Sequence, residues 1–201
     1  NLIDIKYIKK ENGGKHTALN IGVEVATHDY IFFVDSDDIL PKNSILTIVN
    51  KIKNIENRLE YSQLAGVCGL KSDFNGKVVG NNLKKDIVCS YLDFRYKYNI
   101  IGDKAEVFKK KILLDYKFPV YKGEKFCPEA LIWNRISTKY NMLFFNDIIY
   151  CCEYQEGGLS HNSINIRKNS PNSTLLYYYE FVNYNLSFYY NFRGLLNFWR
   201  F

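Results

Sequence analysis

Three carboxylates, Asp35, Asp37 and Asp38, follow directly on the apolar run YIFFV. Such a run reads as a strand covered on both faces, and in open α/β sheets ligands bind beyond the carboxyl ends of the strands. Asp35 and Asp37 are two apart, so their side chains can point the same way from an extended or turning backbone. Two anionic oxygens held that close repel each other unless a cation sits between them. A hard divalent ion, Mn²⁺ or Mg²⁺, accepts one or two carboxylates and completes its shell with water and phosphate oxygens. Asp37 and Asp35 are therefore the metal candidates, and a nucleotide diphosphate suits them. An EF-hand begun at Asp35 is excluded, because Ile39, Leu40 and Leu46 stand where an oxygen ligand, a glycine and a glutamate are required. The competing view is that the aspartates cap the helix opened by Pro41, a role that suits Asp38 in particular.

The elements that would position this cluster follow from periodicity. LIDIKYIK alternates as a strand and is broken at Gly13 and Gly14. KHTALNIGVEVATHD then predicts a helix with Ala18, Ile21 or Gly22, and Val25 at helical spacing. After YIFFVD, a second helix starts from Pro41 and Asn43, with Ile45, Ile48, Val49 and Ile52 as its stripe. QLAGVCGL (63–70) predicts a buried strand, EALIWNRISTKY a helix, and MLFFNDIIYCCEY a strand. The order predicts an α/β fold with a mixed, mainly parallel sheet flanked by helices. From Ser173 onward the aromatic-rich chain predicts one or two amphipathic helices. The expected organisation is a domain over 1–170 and a helical extension over 171–201, divided near the SPNS turn.

Composition narrows the class. With 201 residues, 47% of them hydrophobic, the chain can bury a sizeable core. The net charge of +6 is spread along the sequence, whereas a nucleic-acid footprint is denser, so no nucleic-acid partner is expected. The five cysteines form no C-x-x-C spacing, and reduced, structural thiols are expected. Neither a spanning segment nor a signal peptide is visible. The only methionine is Met142, so residue 1 is not an initiator.

NGGKHTALNIGVEVATHDYIFFVDSDDILP resembles the middle of a family-2 glycosyltransferase with the GT-A (Rossmann-like) fold. In that family a G-x-x-x-A-x-N-x-G helix precedes a strand ending in D-x-D, here Gly14, Ala18, Asn20 and Gly22, then Asp35 and Asp37. FPVYKGEKFCPEALIWNRI is similar to the family's acidic segment, with Glu129, Trp133 and Arg135 matching and Ala130 where a second acid often stands. The likeness covers roughly residues 3–162. The family's two first strands, which hold base and ribose, do not appear before Asn1.

The resemblance implies inverting sugar transfer from a nucleotide-diphosphate sugar to an acceptor hydroxyl, assisted by Mn²⁺ or Mg²⁺. Asp37, with Asp35, would hold the ion. Glu129 is the candidate base, with Glu124 in reserve and an acid at a helix N-terminus as the bland alternative. Asn20 belongs to the donor-side motif. GDKAEVF (102–108) looks like the loop that closes over the donor, with Lys104 toward phosphate and Asp103 or Glu106 toward sugar hydroxyls, or a solvated turn. Lys15 either approaches the nucleotide or is an exposed lysine at a helix start. His161 lies near where related enzymes supply a third metal ligand, and a surface histidine is the alternative.

The resemblance also points to bacterial surface polysaccharide synthesis, a glycan or lipid-linked acceptor, and a cytoplasmic site at the inner face of the plasma membrane. The aromatic tail packs on the catalytic domain or a second copy as a homodimer, or else lies peripherally on a membrane. Two rivals are a non-catalytic carbohydrate-binding or interaction module derived from a transferase, and a nucleotidyltransferase, whose Gly-rich basic loop the GGK stretch replaces only thinly.

Overall fold

A computed structural model describes residues 3–56, 59–152 and 162–201. Among these the elements run α1 (Lys15–Val25), β1 (Tyr30–Phe32), α2 (Ser44–Glu56), β2 (Leu64–Ser72), β3 (Ile87–Cys89), β4 (Lys104–Lys109), α3 (Lys110–Asp115), α4 (Glu129–Ser137), β5 (Asn141–Cys151), α5 (Ser163–Lys168), α6 (Pro171–Val182) and α7 (Phe188–Arg200). The five strands form one sheet in the order β1-β4-β2-β5-β3.

Alternate residues of each central strand feed opposite faces. Cys68, Phe108, Met142 and Phe144 pack with Leu131, Ile132, Trp133 and Ile136 of α4 on one face. Val67, Ala105, Val107, Leu143 and Phe145 pack with Ile48, Ile52 and Ile55 of α2 on the other. Burial on both faces explains the unbroken apolar runs of β2 and β5. It also explains why strand direction was not legible. The sheet is mixed, but it is not mainly parallel: β2 and β5 pair parallel, whereas β1 with β4, β4 with β2, and β3 with β5 are antiparallel. Both-face burial is the same for either direction, and β4 runs back between β1 and β2.

Other expectations are corrected as well. Residues 3–9 of the expected strand LIDIKYIK form none: Ile3, Ile5 and Tyr7 are more than four-fifths exposed, and no strand among the described residues pairs with them. GDKAEVF is not a loop over its length, because Lys104–Lys109 is the strand between β1 and β2. The α1 helix is present, but its buried positions are His16 and Val23 rather than the Ala18 stripe. The helix expected from Pro41 begins at Ser44, after a turn in which Asn43 takes φ 74°.

The aromatic tail forms helices, as expected. In α6, Leu176 and Tyr177 pack against the core on the α4 side. Arg135 donates two hydrogen bonds, of 2.8 and 2.6 Å, to the Glu180 carboxylate and so ties α4 to α6. All five cysteines are free thiols. Among the described residues no helix is long and apolar enough to cross a membrane.

Candidate active site

After β1 the chain enters a turn closed by the Asp38 N–H donating to the Asp35 carbonyl, 3.2 Å. Two backbone hydrogen bonds between Ile39 and Cys151 pin the far side of this turn to the end of β5. The Tyr150 hydroxyl accepts from the Asp35 N–H at 2.9 Å and donates to the Asp38 carboxylate at 2.6 Å. Asp38 thus bonds to a tyrosine instead of capping α2. Burial first, then the Asp38 hydrogen bond, pushes the Tyr150 phenol well above its ordinary range. Asp37 stands exposed at the tip of the turn.

Lys15 opens α1 just after Gly14, whose φ of 88° belongs to the left-handed region. A Cβ on Gly14 would come within 1.9 Å of the Lys125 carbonyl oxygen, so glycine is the residue that lets the two segments meet. The Lys15 ammonium lies 2.7 and 2.9 Å from the two Asp35 carboxylate oxygens and 2.9 Å from Oε1 of Glu129. Burial opposes its charge, but the Glu129 charge and the hydrogen bonds of both acids outweigh that and hold its pKa above the ordinary lysine value.

Glu129 is the first residue of α4. That helix is anchored by Trp133, which stacks on Phe108 with centroids 4.4 Å apart and also meets Phe33 and Phe118. The apolar spacing of EALIWNRI thus fixes where its leading carboxylate stands. Near this acid, on β4, lies Glu106, 3.9 Å from Arg95. Burial, opposed by Arg95 and assisted by Glu129, pushes the Glu106 carboxyl up to about 7.

The structure therefore brings Asp35, Lys15 and Glu129 together, with Asp37 on the same turn. It turns other candidates elsewhere. Glu124 is buried, and its carboxylate accepts four hydrogen bonds of 2.7–2.9 Å from the backbone and side chains of Asn172 and Ser173. It supplies the anion at the N-terminus of α6. The Asn20 side chain exchanges two 2.9 Å hydrogen bonds with the Phe118 backbone and ties α1 to the segment before α4. The Lys104 ammonium is buried and donates to the carbonyls of Val79, Ile101 and Asp103, so it clamps backbone instead of facing phosphate. Burial, then the Arg95 charge, lowers its pKa to about 8. Asp103 lies at the surface on the turn entering β4. His161 is outside the described residues.

Among the described residues no group of three or more His, Cys, Asp or Glu is placed to hold a metal. At the turn Asp37 is open to water and Asp35 is two-fifths exposed and paired with Lys15, a carboxylate pair that fits a hard ion taking its remaining ligands from water and phosphate. Sequence reasoning missed Tyr150, whose partners Asp35 and Asp38 lie more than a hundred residues away, and Arg95, whose partners are local but fall in irregular segments with no readable period.

A mixed sheet with helices on both faces and an acidic turn beyond a strand end is an α/β architecture of the GT-A type. Residues 1–101 match glycosyl transferase family 2, and the chain belongs to that family. It is 24% identical to the glycosyltransferase GlyG of Streptococcus pneumoniae, over 81% of this chain and 56% of that protein. It is 28% identical to the GalNAc(5)-diNAcBac-PP-undecaprenol beta-1,3-glucosyltransferase of Campylobacter jejuni, over 64% of this chain and 40% of that one. The chain thus spans about half the length of the curated relatives it matches. In structure it is similar to S. aureus TarS residues 1–349, with a TM-score of 0.60 at 18% identity, covering 96% of this chain and 52% of TarS. For TarS in complex with UDP-GlcNAc the TM-score is 0.62 at 17% identity, covering 98% of this chain and 55% of that one. The GT-A fold expected from the sequence is the fold observed.

Proposed function

We propose that this chain is the sugar-transfer part of an inverting, metal-assisted glycosyltransferase that uses a nucleotide-diphosphate sugar. The observation that carries this reading is the Lys15 ammonium shared between Asp35 and Glu129. It puts a carboxylate suited to the donor's metal and a carboxylate suited to deprotonating the acceptor within reach of one side chain.

In this mechanism Asp35 and Asp37 would hold Mn²⁺ or Mg²⁺, which when bound would neutralise charge on the leaving diphosphate. Glu129 takes the proton of the acceptor hydroxyl as that oxygen bonds to the anomeric carbon. The bond from this carbon to the diphosphate oxygen breaks, its electron pair leaves with the diphosphate, and in-line attack inverts the centre. Lys15 holds Glu129 in place and adds positive charge beside the diphosphate.

The UDP-GlcNAc complex of TarS and the undecaprenol-linked acceptor in the name of the Campylobacter relative support a UDP-sugar donor and a glycan or lipid-linked acceptor. Both relatives are bacterial, in keeping with surface polysaccharide synthesis at the cytoplasmic face of the membrane.

Calorimetric titration with UDP and GDP, with and without Mn²⁺, tests the donor site. Metal-dependent binding that disappears in Asp37→Ala is expected, and binding unchanged by that substitution removes the metal assignment. Glu129→Gln should retain donor binding and lose transfer. Donor binding with no turnover by the unaltered chain, on a panel of acceptors, would favour the non-catalytic module.

A further inference from the structure

The last helix turns the wrong face outward. In α7, Gly194 is the buried residue, pressed so closely on α6 that a Cβ there would lie 2.7 Å from the Phe181 ring. Tyr190 faces inward as well, against the Tyr96 ring. On the opposite side Phe188 is 84% exposed, Phe192 50%, Leu195 44%, Leu196 58% and Trp199 83%. At 3.6 residues per turn these five form one continuous stripe. A surface helix of a globular protein points its stripe at the core, whereas among the described residues nothing covers the stripe of α7.

Charge identifies what the stripe meets. Arg193 and Arg200 lie along one border of it, and residues 181–201 contain no Asp or Glu. A second copy laid on this face would bring the same two arginines with no carboxylate on the helix to answer them. An anionic bilayer answers both. Its interface also accepts what the stripe carries, Trp, Phe and Leu at the headgroup boundary with arginine beside them. We infer that α7 is a membrane-docking helix that lays its exposed apolar stripe in the interface of a bilayer containing anionic phospholipid. This goes beyond the proposed transfer reaction and does not depend on it.

The protein carries its own reporter. Of its two tryptophans, Trp133 is buried and Trp199 is not, so an emission change on adding vesicles reports Trp199. The experiment is co-sedimentation with vesicles of phosphatidylcholine alone or mixed with phosphatidylglycerol, read together with tryptophan emission. The expected result is a blue shift and at least about tenfold stronger binding to the mixed vesicles. R193Q combined with R200Q should weaken that binding roughly thirty-fold. F192E combined with L196E should abolish it while leaving circular dichroism and UDP titration unchanged, since both side chains are half or more exposed. A monomer that stays in the supernatant with both vesicle types overturns the inference. So does a dimer in free solution whose Trp199 is already blue-shifted and which F192E with L196E dissociates.

Discussion

The Lys15 ammonium stands 2.9 Å from Oε1 of Glu129, so the first residue of α1 touches the first residue of α4. Two helix N-termini, each with a partial positive charge and unsatisfied N–H groups, converge beside the acidic turn. An anionic diphosphate suits such a place.

Lys15→Met is expected to cost the fold no more than about 1 kcal/mol, because all three partners in this ion-pair network are roughly two-fifths exposed. Mn²⁺ binding without nucleotide should tighten several-fold, since Asp35 loses its fixed cation, while UDP binding weakens by about tenfold. Calorimetry with each ligand separates the two effects. A large fall in melting temperature would instead make the lysine a structural residue.

Glu124→Gln should act on stability and not on chemistry. Replacing the carboxylate that caps α6 removes charge-assisted hydrogen bonds and is expected to cost about 2–4 kcal/mol at neutral pH. Burial raises the Glu124 pKa, but the hydrogen bonds from Ser173 and Asn172 outweigh it and bring it below the ordinary 4.5. A lowered folded pKa gives stability that is present above the unfolded value and lost as pH falls through the folded one. Urea denaturation should therefore show the gap between wild type and variant closing below about pH 4.

Gly14→Ala tests the approach that places Lys15. The added Cβ would meet the Lys125 carbonyl at a φ that alanine rarely adopts, and a loss of about 2 kcal/mol or more is expected. UDP affinity should fall with it, because α1 must shift at its leading residue. Gly76→Ala, also at positive φ but with nothing near its Cβ, is the control that should cost less and leave UDP binding alone.

The sequence carried the helix after the glycine pair, the strand into the aspartates, and the α4 and β5 segments, because each has a local period or a continuous apolar run. The positions of Asp35 and Glu129 are legible for the same reason: each sits next to the end of a regular element. The buried place of Lys104 is not legible because the parity of a strand decides whether a lysine faces solvent, and GDKAEVF reads as a loop. Glu124 was misread because its four partners lie in α6, a contact that no periodicity reports. The direction of the sheet was hidden by burial on both faces.

Glu106 should be visible as an abnormal acid. Burial pushes it up to about 7 against the opposing Arg95 charge, so the carboxyl stays protonated at pH 5 and ionises around neutrality. Carbon-13 NMR of labelled glutamate should show one side-chain resonance with a midpoint near pH 7 that is missing in Glu106→Gln. Because the folded pKa is raised, the stability linked to this group is greatest below the unfolded value near 4.5 and is lost as pH rises through 7. If every glutamate titrates below pH 5, water reaches this carboxyl and the assignment is wrong.

The Tyr150 hydroxyl has one proton and spends it on Asp38, since the Asp35 N–H already donates to its oxygen. A single phenol thereby sorts three neighbouring acids. Asp38 is anchored to the sheet, Asp35 is paired with Lys15, and Asp37 is left exposed. The like-charge crowding that makes DSDD look improbable at a strand end is thus reduced by a residue 112 positions further along the chain. It is β5 that takes one of the three carboxylates out of the set free to meet a ligand.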